Sequence, residues 1–167
     1  MPYLQSSTLA AGEQERYELP QVSLEHESLY QHCLRALRHA LRFGEHGLPL
    51  MGCGDWNDGM NLVGAQGKGE SVWVGWFLLV LFDHFIPLME RQEDHTAAHE
   101  FRQVAAELRS ALESQAWDGE WYRRAFFDDG TALGSRQDDE CQIDSIAQSW
   151  AVLANAEAER TSQAIDA

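Results

Sequence analysis

"ESVWVGWFLLVLFDHFIPLMERQ", residues 70–92, is the stretch that decides the fold. From Val72 to Phe82 every side chain but Gly75 is apolar, and Asp83, His84 and Pro87 then interrupt the run. That run is shorter than the roughly 20 residues needed to span a bilayer. A helix apolar around most of its circumference is then read as the inner helix of a folded protein. It is predicted from about Glu70 to Gln92, with Pro87 kinking or ending its last turns, and the spacing of Trp73, Trp76 and Phe77 suits core packing.

Upstream, "SLEHESLYQHCLRALRHALRFG" (23–44) repeats apolar residues at helical spacing through Tyr30, Cys33, Leu34, Leu37 and Leu41. Ser23 is the candidate cap, Gly44 the stop, and the lead through Pro20 reads as irregular. Residues 45–69 hold seven glycines and Pro49 with no sustained period, which predicts a long loop, and long loops within compact domains are often functional. Downstream, Ala98, Phe101, Ala105, Leu108 and Leu112 form one stripe of a helix over about 95–115. "WDGEWYRRAFFDDGTALGS" (117–135) carries two DG pairs around an aromatic run and predicts a short hairpin. A last helix is expected from about Ile143 to Ile165, capped by Asp144 or Ser145. No repeat and no linker divides the chain, so the reading is one all-α domain, or part of one, with long loops at one end of its helices and a short β-like excursion near 117–135.

Composition narrows the function. With 167 residues and 44% apolar content the chain is globular. Its net charge of −15 repels phosphate backbones and anionic headgroups, so neither nucleic acid nor a membrane surface is an expected partner. Cys33, Cys53 and Cys141 are odd in number and widely spaced, which reads as reduced thiols in a cytoplasmic protein. The N-terminus lacks the basic start and apolar run of a secretory signal. The histidines show no paired spacing that suggests a metal, and no cofactor is expected.

"MGCGDWNDGMN" (51–61) gathers Asp55, Trp56, Asn57, Asp58 and Asn61 in one glycine-punctuated turn. Counted from Asp55, a calcium loop would need glycine at its sixth place and glutamate at its twelfth; glycine comes one place early and the twelfth is Gln66. "GAQGKGES" fails as a phosphate loop, because Leu62 stands where the first glycine belongs and glycine follows Lys68. Turn chemistry alone accounts for the Asp and Asn residues, since such side chains bond their own backbone. The tryptophan opens a second reading. Sugar rings stack on indole faces, and a carboxyl beside an indole in a partly dry pocket has the raised pKa of a general acid. Asp55 would raise it further if both carboxylates faced one cavity.

Four ordered blocks, "GLPLMGCGDWNDGMNLVG", "GKGESVWVGWFLL", "WDGEWYRRAFFDDGTALGS" and "ECQIDSIAQSWAVL", together resemble glycoside hydrolase family 94. The likeness is greatest to the phosphorylase-like region of cyclic β-1,2-glucan synthases and to β-1,2-oligoglucan phosphorylases, with cellobiose and chitobiose phosphorylases more distant. It implies part of an (α/α)6 barrel whose loops form a sugar cleft, and an inverting phosphorolysis of β-glucosidic bonds with inorganic phosphate as co-substrate. Asp58 is then the implied general acid, and Trp56 and Asn57 lie in the subsite for the non-reducing glucosyl unit. Asp55, Gln148 and Trp121 are weaker candidates for substrate contact, Gln148 being as well explained by a buried amide satisfied by backbone. Lys68 and Glu70 either reach the cleft or serve the helix start.

A complete barrel needs roughly 300 residues or more, so the chain reads as a segment, and the family's phosphate-binding residues fall outside it. The expected partners are a β-glucan oligosaccharide, phosphate and the remainder of the barrel, with self-association where inner helices lack a cover. If the parent is the large synthase, it is membrane-embedded elsewhere, with this part cytoplasmic. The competing function is a non-catalytic carbohydrate-binding or structural remnant.

Overall fold

The computed structural model describes residues 1–13 and 16–167, the side chain of Asp58 excepted. The chain falls into two compact units, Met1–Arg42 and Phe43–Ala167. Among the described residues the fold is mainly helical, with five α-helices and two small antiparallel sheets.

In the first unit β1 (Pro2–Gln5) pairs antiparallel with β2 (Gln21–His26), and α1 (Leu29–Ala40) follows. β1 lies in the lead through Pro20 that the sequence reads as irregular, and β2, just beyond it, occupies the expected helix start at Ser23. The reason is an inverted pattern: Ser23 is buried, whereas Val22 and Leu24 are 68% and 97% exposed. Alternation read as apolar-in therefore gives no strand signal here. The true cap is Ser28, whose Oγ accepts the Gln31 N–H at 3.2 Å. The helix closes at Leu41, ahead of Gly44. Tyr3 stacks on His32 with ring centroids 4.0 Å apart, and Arg35 lies over the same tyrosine.

The second unit is built on α2 (Val72–Arg91), which packs against α3 (His95–Ala111) and α4 (Ser145–Leu153). By length and composition α2 could cross a membrane; in this fold Val72, Trp76, Leu78, Leu79 and Phe82 are buried in protein. Each such side chain contributes about 1.5–3 kcal/mol. Pro87 lies inside α2 without ending it. A Cβ on Gly75 would lie 2.9 Å from Leu112 Cδ2, so glycine is what allows this close approach. Four of the five predicted stripe residues, Ala98, Phe101, Leu108 and Leu112, are buried, and α3 runs into a π-helical turn over Leu112–Ala116.

The excursion near 117–135 is the antiparallel pair of two-residue strands β4 (Ala125–Phe126) and β5 (Ala132–Leu133), to which β3 (Glu70–Ser71), just ahead of α2, adds a third strand beside β4. Both DG pairs make turns, with Gly119 at φ +99° and Gly130 at φ +83°. The single helix expected over 143–165 is two, α4 and α5 (Ala158–Asp166). Asn155 takes φ +51° between them. The Asn155 N–H donates to Val152 O at 3.1 Å and the Ala156 N–H to Ala151 O at 3.0 Å, the two bonds of a Schellman stop.

Candidate active site

The loop between Phe43 and Gly69 is irregular, yet its ends are tied. Phe43 bridges Pro49, Leu50 bridges Glu70, and the Met51 N–H donates to Gly69 O at 2.8 Å. The Glu70 carboxylate is buried and accepts the N–H groups of His46 and Leu48 at 3.1 and 3.0 Å. His46 Nδ1 sits 2.5 Å from the same carboxylate while its ring stacks on Phe126. Glu70 therefore organises the loop's start. The "GKG" bend is closed by Asp128, which accepts the N–H groups of Gln66, Lys68 and Gly69 at 2.8, 2.8 and 3.0 Å. Those bonds, the Gln66 N–H foremost, hold the Asp128 carboxyl below the usual range. The backbone cradle that suggests a phosphate loop is thus filled by the protein's own carboxylate. Lys68 lines a cavity of about 320 Å³ with His46 and Phe127.

Asp55 begins the Trp-Asn-Asp turn, and its side chain has no exposed surface. Arg124 Nη2 donates to Asp55 Oδ1 at 2.7 Å, Arg124 Nη1 lies 2.7 Å from Oδ2, and Ser71 Oγ donates to Oδ2 at 2.7 Å. Burial alone would push this carboxyl up. The Arg124 guanidinium, the Ser71 hydroxyl and the Asn57 N–H outweigh it and hold Asp55 below the ordinary carboxylate range. Asp55, a candidate for substrate contact and for raising the pKa of Asp58, is an ionised carboxylate used up by these partners.

Asp58 opens a 3₁₀ turn, Asp58–Met60, capped by Asn57 Oδ1, which accepts the Gly59 N–H at 3.0 Å. The Asp58 side chain, the implied acid, lies outside the described residues. Trp56 is 77% exposed, with its ring centroid 6.4 Å from that of Trp73. Behind it Trp73, Phe77 and Trp150 pack ring against ring, Phe77 and Trp150 edge-on at 5.0 Å. Trp73 and Phe77 have the packing role expected of them. Trp56 instead stands at the rim of this cluster.

Two further candidates turn inward. The Gln148 Oε1 accepts the Tyr122 N–H at 2.9 Å, and its Nε2 donates to Tyr122 O and Asp144 O at 2.7 and 3.1 Å. Both amide N–H groups are committed to backbone, so Gln148 joins α4 to the segment 121–124 and has no donor left for a sugar hydroxyl. The Trp121 indole N–H donates to Gly134 O and Gln142 O at 2.9 and 2.8 Å, which fixes it as a loop brace.

Arg124 is the residue the sequence reading passes over. Its signal is an arginine inside an apolar strand run, where a charge must find a buried partner. Asp144 caps α4 as expected, and its second oxygen accepts from Arg124 Nε at 3.1 Å. Among the described residues no group of three His, Cys, Asp or Glu side chains is placed to hold a metal ion.

Comparison with known proteins matches the chain to a family. The chain is 43% identical over its whole length to the cyclic beta-(1,2)-glucan synthase NdvB of Rhizobium meliloti, of which it covers 6%. It is 40% identical over 84% of its length to the 3-O-beta-D-glucopyranosyl-beta-D-glucuronide phosphorylase of Paenibacillus borealis, covering 18% of that protein. It is 31% identical to the N,N'-diacetylchitobiose phosphorylase of Vibrio furnissii over 84% of its length, again covering 18%. The chain thus spans less than a fifth of these relatives. The family model described as the catalytic domain of the glycosyl hydrolase 94 superfamily matches residues 1–167, and the chain belongs to that superfamily.

Proposed function

We propose that this chain is the acid-bearing segment of an inverting glycoside phosphorylase acting on β-glucans. A phosphate oxygen bonds to the anomeric carbon as the glycosidic C–O bond breaks, and the Asp58 proton passes to the departing sugar oxygen. The products are α-glucose 1-phosphate and a glucan one unit shorter. Because phosphate arrives as an anion, no catalytic base is required to activate water, and one carboxylic acid is sufficient. No cofactor enters; phosphate is the co-substrate.

The observation that carries this reading is the family match over the full chain, with Trp56 and Asn57 directly preceding Asp58 in one anchored turn. A tryptophan 77% exposed contributes little to the core and offers its indole face to a sugar ring. The 43% identity to a protein named as a β-(1,2)-glucan synthase favours β-1,2 linkages. The phosphate contacts come from the remainder of an (α/α)6 barrel, the partner for apolar side chains such as Leu153, which is 59% exposed, and Ile165, 57% exposed. Free thiols at Cys33, Cys53 and Cys141 agree with a cytoplasmic site of action.

The test is phosphate-dependent release of α-glucose 1-phosphate from β-1,2-glucan by the full-length protein. Asp58→Asn should lower kcat by roughly 10²–10⁴-fold. Undiminished turnover in that variant removes the acid assignment.

A further inference from the structure

The proposed chemistry makes no use of Arg124, although it is a buried cation whose partners come from three separate segments. They are Asp55 at the start of the turn, Ser71 at the cap of α2 and Asp144 at the cap of α4. Arg124 Nη1 lies 3.4 Å from Ser71 Oγ, which also accepts the Val74 N–H at 3.1 Å.

From Arg124 a chain of contacts leads to the two neighbours of residue 58. Asp55 Oδ1, gripped by Arg124, accepts the Asn57 N–H at 3.1 Å, and Asn57 Oδ1 accepts the Gly59 N–H at 3.0 Å. The residues on both sides of Asp58 are therefore held by one relay that begins at a buried guanidinium. Local backbone preference does not supply this order. Gly52 and Gly54 precede the turn at φ +65° and +152°, Gly59 lies within it, and Trp56 and Asn57 are exposed. A glycine-flanked turn on the surface is stiff only if a side chain anchors it.

We propose that Arg124 is the positioning residue of the acid-bearing turn, acting through Asp55 to hold the backbone around Asp58. At 2% exposure its guanidinium is spent on these protein partners. Its planar fork meets two carboxylate oxygens and still presents Nε to Asp144, a geometry that lysine cannot reproduce. General acids lose rate steeply with displacement, a misplacement near 1 Å lowering turnover on the order of 10²-fold.

This proposal rests on the acid role given to Asp58, and the experiment separates the two. In the full-length protein, Arg124→Lys and the paired variant Asp55→Asn with Arg124→Gln, which strands no buried charge, are compared with wild type and Asp58→Asn. Amide hydrogen exchange is read over residues 52–62 and over α2 and α3, alongside kcat and KM for glucan phosphorolysis. Positioning predicts faster exchange confined to 52–62 in both Arg124 variants, with kcat lower on the order of 10²-fold and KM nearly unchanged. Unaltered exchange over 52–62 overturns it, as does a uniform rise across α2 and α3, the mark of a merely stabilising ion pair. Should Asp58→Asn keep its activity, the acid role fails while the exchange measurement still decides what Arg124 does.

Discussion

Arg124 and Asp55 stand 69 residues apart in the chain and meet through two contacts of 2.7 Å, one to each carboxylate oxygen. Both side chains are buried, Arg124 at 2% exposure and Asp55 at none. Removing one member strands an uncompensated charge, which costs about 3–5 kcal/mol, whereas removing both leaves no orphan. Asp55→Ala and Arg124→Ala should each lower the unfolding free energy by about that amount, with the double variant losing clearly less than the sum. Chemical denaturation of the four proteins measures it. Single losses below about 1 kcal/mol would place the pair among weak surface-type bridges.

The same pair gives the stability a pH signature. The folded carboxyl of Asp55 lies below its ordinary value, so its contribution is complete above the unfolded pKa of about 3.9 and is lost as pH falls through the folded value. Asp128, Asp129 and Glu157 are also held low, by backbone N–H donors, and carry the same sign. Denaturation midpoints should therefore stay level from pH 7 to about 5 and decline below about 4. Relative to a pH 7 reference, Asp55→Asn should show a shallower acid decline than wild type. An identical acid limb in the two proteins would mean that Asp55 titrates as it does in the unfolded chain.

How legible this was in the sequence depends on where each determinant sits. α3 follows from local periodicity, α2 from its unbroken apolar run, and the DG turns from glycine at positions that need positive φ. β1 and β2 escape because Val22 and Leu24 face outward while Ser23 faces in, the reverse of the usual code. The turn at 55–61 is visible as residue types, but its anchor is not, because Asp55 finds Arg124 only through the tertiary fold. Gln148 shows the opposite failing. Nothing local distinguishes an amide that grips a ligand from one that closes on Tyr122 backbone.

Trp56 separates function from scaffold. Its side chain is 77% exposed, so Trp56→Ala should change stability by less than about 0.5 kcal/mol. If its indole forms the sugar platform, the loss of stacking, about 0.5–1.5 kcal/mol, weakens glucan affinity roughly two- to tenfold. Isothermal titration of the full-length protein with β-1,2-glucan, beside a melting curve, reads both. Unchanged affinity would remove Trp56 from the subsite.

The break between α4 and α5 offers a test free of any functional reading. Asn155 sits at φ +51°, a left-handed conformation that asparagine tolerates, glycine adopts without strain, and β-carbon-bearing apolar residues resist by about 1–2 kcal/mol. The two Schellman bonds, from Asn155 to Val152 and from Ala156 to Ala151, exist only in that conformation. Arg109 depends on the same corner, donating from Nη2 and Nη1 to Ala154 O and Asn155 O at 2.9 and 3.1 Å. Asn155→Ala should lower the melting temperature by roughly 2–4 °C per kcal/mol lost, while Asn155→Gly should match or slightly exceed wild type. Equal melting for the alanine and glycine variants would show that α4 continues into α5 without the left-handed stop, as the helical composition of 143–165 alone suggests.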